Sequence, residues 1–163
     1  MSEDKQLKVS DLVSFSEKDY AETKRVLGVM NEMVKEYVDN VDNLDGLEEL
    51  KRRFNSHLIY LAQYYAKIKC FRENFEFLDS QRKRIKSQAI DHLMKNSEEK
   101  ITISAAEKIV YAYPYYIDRV TLLEKLKSFF YLVDLQYSNY QDCQRSIYQS
   151  ISLLSKEKQT TIH

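Results

Sequence analysis

From Leu47 to Leu93 the chain carries neither Gly nor Pro, and apolar side chains return every seven positions. One set is Leu47, Phe54, Leu61, Ile68 and Phe75, continued by Arg82 and Ala89. The set three residues later is Leu50, His57, Tyr64, Phe71, Leu78, Ile85 and His92. Alternating steps of three and four keep one stripe of a helix turned toward a partner helix. At 1.5 Å per residue this rod would be roughly 70 Å long. A domain of 163 residues does not hide such a rod alone, so other helices must lie along it.

The rest of the sequence supplies them. Ser16 and Asp19 have the form of a capping box, and an amphipathic helix is expected from there to about Asn40. Its stripe runs Tyr20, Thr23, Leu27, Met30, Val34, Tyr37 and Val41, widened by Val26, Met33 and Val38, with Gly28 inside it for no evident reason. Asp42 to Gly46 reads as a turn. After the rod, Ile101-Thr102-Ile103 is β-branched throughout and expected to be extended. Ser104-Ala105-Ala106-Glu107 is a second capping box, opening a short helix that Tyr113-Pro114 ends. Pro114 suits the first position of the next helix. That helix repeats the period through Tyr116, Leu123, Phe130, Tyr137, Gln144 and Ile151, and through Arg119, Leu126, Val133, Tyr140, Ile147 and Leu154.

The expected fold is therefore all-α: an elongated bundle with two long antiparallel, heptad-patterned helices, oligomeric through an exposed seam. Residues 1–15 are expected to be a mobile lead-in and 156–163 a tail. A single helical domain is expected over 16–155, with helices at about 16–40, 45–95, 104–112 and 114–155.

Two Gly and one Pro leave no material for a phosphate-binding loop. Cys70 and Cys143 form no C-x-x-C pair and are expected as small buried thiols in a reducing compartment. His57 and His92 fall on the apolar stripe and read as packed histidines rather than ligands, so neither a metal nor another cofactor is expected. No base and orienting partner accompanies Cys70, so an enzyme is not expected. The polar start of the chain is not expected to act as a signal peptide, and no run is apolar enough to span a bilayer. A soluble cytoplasmic protein without membrane contact is expected.

The formal charge is zero, but its distribution is uneven. Residues 1–50 hold 6 Lys/Arg against 13 Asp/Glu, whereas residues 51–100 hold 12 against 6. Either the halves neutralise each other, or the middle faces a polyanion and the front a protein. The densest basic run is Arg82, Lys83, Arg84 and Lys86, with Lys51 to Arg53, Lys67, Lys69 and Arg72 upstream among Tyr60, Tyr64, Tyr65 and Phe71. Cations of this kind neutralise phosphates, and aromatic faces stack on unpaired bases. The plainer alternative is a solvated face, since Arg72–Glu76 and Asp79–Lys83 stand at ion-pair spacing. The aromatics at 64, 71 and 75 read more simply as packing. Tyr111, Tyr113, Tyr115 and Tyr116 read as pins for the last helix, or less simply as a docking patch.

The order of these elements resembles the UvsY-type recombination mediators of T4-like phages over about residues 76–155. The features carrying the resemblance are a basic helix ending in Ile90-Asp91-His92, a polar turn, Ser104-x-x-Glu107-x-x-Val110, Tyr113-Pro114-Tyr115-Tyr116, and one long patterned C-terminal helix. The resemblance implies a non-enzymatic homo-oligomer that binds single-stranded DNA and helps a RecA-like recombinase replace the single-strand-binding protein. It would work in the host cytoplasm if phage-encoded. It implies DNA contact at Arg82, Lys83, Arg84 and Lys86; Lys69 and Arg72, outside the resemblance, are further candidates from residue type alone. The family's Lys-Ala-Arg-Leu signature falls near Ser87-Gln88-Ala89-Ile90, which lacks both basic residues. Oligomerisation would use Phe130, Val133, Tyr137, Tyr140, Ile147, Ile151 and Leu154. The alternative from a different class is a structural adaptor whose seams bind partner helices.

Overall fold

The computed structural model describes residues 15–72 and 75–160, without the side chains of 71–77. Five α-helices account for most of them: α1 (Glu17–Asp39), α2 (Leu44–Arg72), α3 (Phe75–Asn96), α4 (Ile103–Ile109) and α5 (Pro114–Thr160), with a 3-10 turn at Val110–Ala112. No strand occurs among the described residues. The fold is all-α, as the periodicity predicts.

Local chemistry sets the helix ends. Asn43 precedes α2, and its Oδ1 accepts from the Gly46 amide at 3.1 Å, satisfying one of the free amides of the first turn. A Cβ on Gly46 would stand 2.9 Å from Asn43 Nδ2 and 3.1 Å from Asn40 Oδ1, so the cap needs glycine there. The expected turn thus ends inside the helix. Ahead of α4, Thr102 rather than Ser104 is the cap: its hydroxyl accepts from Ala105 N at 3.3 Å. Ile103 is consequently helical, not extended, because a satisfied first turn outweighs a weak β-branched preference. Pro114 opens α5 as expected. With no Gly or Pro beyond it, α5 continues to Thr160, so most of the expected tail is helix.

The expected single domain is divided into two compact units, each using one part of the long helices. The cause lies in the covering segments: α1 covers one stretch, while α4, the 3-10 turn and Phe15 serve the other.

The first unit holds residues 18–68 with 131 onward. Contacts Glu22–Tyr60 and Asp19–Lys67 run α1 antiparallel to α2. Tyr65–Asp134 and Asn55–Tyr148 do the same for α2 and α5. Three helices therefore run up, down and up. Its core contains Val26, Met30, Leu47, Leu50, Phe54, Leu61, Val133, Tyr140 and Ile147. Leu58, not His57, faces this core; His57 sits half-buried with Nδ1 2.9 Å from Arg53 O. Tyr140 is 1% exposed. Its ring meets Phe54 edge-on, and its hydroxyl donates toward Asn31 Oδ1 at 2.8 Å and Leu27 O at 3.1 Å. Tyr65 stacks on Tyr137 at 4.1 Å and donates to Asp134 at 2.7 Å.

The second unit holds residues up to 17 and 69–130. Here Arg82–Glu124 and His92–Tyr113 run α3 antiparallel to the first half of α5, with Ile85, Ala89, Leu123 and Leu126 buried, and α4 folds back along α3 with Ala106 and Val110 buried. Phe15 belongs to this core, edge-on to Phe130 at 5.4 Å, so the expected lead-in is anchored at its last residue. The remainder of the lead-in, residues 1–14, lies outside the described residues.

The two glycines should respond oppositely to alanine. A Cβ on Gly28 meets nothing within 4 Å, so Gly28→Ala should raise stability by about 1 kcal/mol through helix propensity. Gly46→Ala should lower it by forcing Asn43 away; denaturant melts followed by circular dichroism measure both.

Burial pushes the Tyr140 hydroxyl up to about 12. The unfolded chain releases this proton near pH ~10. Stability held by the neutral hydroxyl is therefore complete below that pH and lost as the pH rises toward the folded value. Tyr140→Phe should cost about 1 kcal/mol at neutral pH and give a flatter alkaline decline than the parent in melts between pH 9 and 12.

Candidate nucleic-acid interface

Helix α3 turns Gln81, Ile85 and Ala89 inward. With successive residues about 100° apart around a helix, Lys83, Ser87 and Met94 must then point away from the core. The segment Ser80–Ile90 contains no acid, so about three turns present cations alone.

The four expected DNA-contacting residues do not share one environment. Arg82 is bridged to Glu124 of α5, which also stands 3.7 Å from Lys127. A cation at the place of an apolar residue is thus accommodated by a carboxylate across the helix pair, rather than by an opening of the seam. Lys83 and Arg84 are exposed and make no ion pair with another described residue. Lys86 Nζ lies 5.0 Å above the Tyr111 ring, and a hydrogen bond to Tyr111 holds its pKa above that of an ordinary lysine. Lys69 is exposed but already engaged within the chain. Arg72 falls outside the described side chains.

The upstream basic turns are neutralised locally. Lys51 lies 3.5 Å from Glu48 and its Nζ 5.1 Å from the Tyr148 ring centre. Arg52 lies 3.8 Å from Glu49, Arg53 is bridged to Glu36, and Lys67 lies 3.2 Å from Asp19. The interleaved tyrosines are engaged too: Tyr60 donates to Glu22, shares a hydrogen bond with Tyr64 and meets its ring edge-on. The acidic front and part of the basic middle therefore do compensate each other, as one of the two charge readings anticipates.

Between α3 and α4 lies a groove of about 470 Å³ that sequence periodicity does not disclose. Lys83 and Lys86 stand at one end, and Ile90, Met94 and Ile103 give it apolar walls. Asp91 and Glu107 also line it. Lys86–Tyr111 fixes the antiparallel register of the two segments. The spacing of Ile103, Glu107 and Tyr111 marks one face of the short α4 segment, but no sequence feature says which residues of α3 it meets.

The four tyrosines separate into two roles. Tyr115 stacks on His92 at 4.3 Å and lies 3.3 Å under the Arg119 guanidinium, while Tyr113 OH is 2.7 Å from His92 Nδ1. These contacts pin the start of α5 against the end of α3. Tyr116 is half-buried, edge-on to Tyr111, and Tyr111 itself is 56% exposed.

The residues expected to join subunits are placed differently. Phe130, Val133, Tyr140, Ile147 and Ile151 are buried within the chain itself, and Tyr137 and Leu154 are half-buried. A second copy would reach the buried five only by opening this packing. What α5 leaves exposed is another face, with Tyr131, Leu132 and Leu135. Cys70 is exposed rather than buried; Cys143 is half-buried, and burial pushes its thiol up. Among the described residues no three His, Cys, Asp or Glu gather as a metal would require, and no helix is long and apolar enough to cross a membrane.

No protein-family model matches the chain, nor does any curated protein or solved structure.

Proposed function

We propose that this chain is a recombination mediator of the UvsY type, binding single-stranded DNA across the outer side of α3 and helping a RecA-like recombinase displace the single-strand-binding protein. The observation that carries the reading is the contrast in charge compensation. Lys51, Arg52, Arg53 and Lys67 each have a carboxylate close by. Lys83 and Arg84 have no ion-pair partner among the described residues, and Lys86 is held by Tyr111, through its ring and its hydroxyl, with Glu107 in its field but no carboxylate bridge. Phosphate binding needs cations that surrender little on engagement, and these meet that condition. A few such contacts per subunit give weak, salt-sensitive binding. A mediator profits from that: it holds a strand and yields it to a polymerising recombinase. Multiplication over the copies of a homo-oligomer would supply avidity.

Affinity for an unstructured oligonucleotide, measured by fluorescence anisotropy, should fall as salt rises. Changing Lys83, Arg84 and Lys86 together to Ala should reduce the log–log slope by about 2, at roughly 0.7 per phosphate contact on a single strand. Arg82→Ala, which removes a cation already bridged to Glu124, should change affinity far less, and replacement of Lys51 and Arg52 should leave it unaltered. Absence of binding at low salt would end this reading.

A second reading is favoured by one observation. Tyr131, Leu132 and Leu135 are 63%, 46% and 49% exposed on α5, and a structural adaptor would use such a face for partner helices. An adaptor binds its partner equally well after the triple Ala change and gives no anisotropy signal with DNA.

A further inference from the structure

We infer that the groove between α3 and α4 holds one unstacked base of the bound strand and favours guanine. The inference rests on the DNA-binding reading and goes beyond it, since cations on α3 explain affinity for phosphate but nothing about bases. The groove is about 470 Å³, within the range of sites that take a small molecule. Its Lys83 and Lys86 end faces the path proposed for the phosphates, so a base turned inward from that backbone enters between Ile90 and Ile103. These side chains and Met94 offer apolar contact to a flat ring.

The polar groups decide which ring. Asp91 and Glu107 are exposed and make no hydrogen bond with another described residue. An ionised carboxylate only accepts, and can take two parallel donors at once. The entering base must therefore present donors. Guanine carries two side by side on its pairing edge, the ring N1–H and the exocyclic amine. Adenine's amine stands between two ring acceptors, N1 and N7, and cytosine's stands beside one, N3; each offers a carboxylate only one amine and a neighbouring lone pair that it repels. Thymine brings a single ring N–H between two carbonyls. Edge recognition of unstacked bases is the usual source of sequence preference on single strands. Glu107 also acts on Lys86, whose pKa it helps to raise; neutralising it removes repulsion toward phosphate as well as an acceptor for the base. The two effects have opposite signs on different oligonucleotides, which makes them separable.

The experiment uses the full chain and two labelled oligonucleotides of equal length, oligo(dT) and the same strand with isolated dG replacing every fourth dT. Isolated guanines avoid self-structure. Anisotropy titrations should give at least fivefold tighter binding of the dG-bearing strand. D91N and E107Q together should abolish that preference while leaving oligo(dT) affinity unchanged or slightly raised, a combination that misfolding cannot produce. Equal affinity of the parent protein for the two strands would overturn the groove assignment alone and leave the phosphate contacts standing. A preference that survives in the double variant would overturn it too. If neither strand binds, the assignment and the DNA-binding reading fail together.

Discussion

A helix of 47 residues with its one proline at the first position cannot fold back on itself, so every apolar side chain it carries must be covered by something else. That constraint on α5 organises the molecule. The buried series Leu123, Leu126, Phe130, Val133, Tyr140, Ile147 and Ile151 steps by three, four or seven, and Phe129 beside it widens the stripe. These positions demand a continuous row of partners that neither α2 nor α3 alone supplies. One unit completes the cover with α1 and the other with the short α4 segment, and the division of the chain follows. The hydroxyl of Tyr140 reaches a backbone carbonyl and an asparagine of α1. This core position is therefore specified by polar geometry as well as by volume, because a buried hydroxyl without partners would be costly.

Much of this was legible from spacing alone. Pro114 as a first helical residue follows from one fixed dihedral angle, and the inward stripe of α5 follows from its period. What spacing does not reveal is whose surface covers a stripe. The period puts Phe130, Val133, Tyr140, Ile147 and Ile151 on a seam and suggests contact between subunits, whereas the chain's own helices cover these side chains. The same blindness applies to Arg82. A charge on an apolar stripe reads as a place where packing opens, yet Glu124, 42 residues on, closes it. No feature near Arg82 announces that partner. The cap at Thr102 is hidden from the sequence for a local reason: Ser104 fits the capping pattern, and only the positions of the amides choose between them.

The candidate site shows the same limit from the electrostatic side. Composition identifies a basic middle and an acidic front but does not say which cations are left over once the helices pack. Three-residue spacings account for Lys51 and Arg52, and cross-helix contacts with α1 account for Arg53 and Lys67. The excess is concentrated on α3, where eleven successive residues lack an acid. The groove beside them depends on the antiparallel return of α4, which is set by burial of Ala106 and Val110. It could not have been read from charge.

A site built this way has a consequence for how a strand would be held. Lys83 and Arg84 extend from one rigid helix into solvent, so their contribution is a field screened by salt over about 10 Å, insensitive to base identity. The groove, by contrast, would discriminate at short range, because its carboxylates act only on a base within contact distance. A protein that must take hold of any strand and then release it gains from keeping these functions on different side chains. Under the proposed function the long-range cations would set capture, and the carboxylates, which oppose phosphate, would keep it weak wherever no suitable base is offered. On the proposed reading, Asp91 and Glu107 would temper the field of the lysines and arginine of α3 slightly while serving the base, which gives carboxylates a physical reason to stand beside cations.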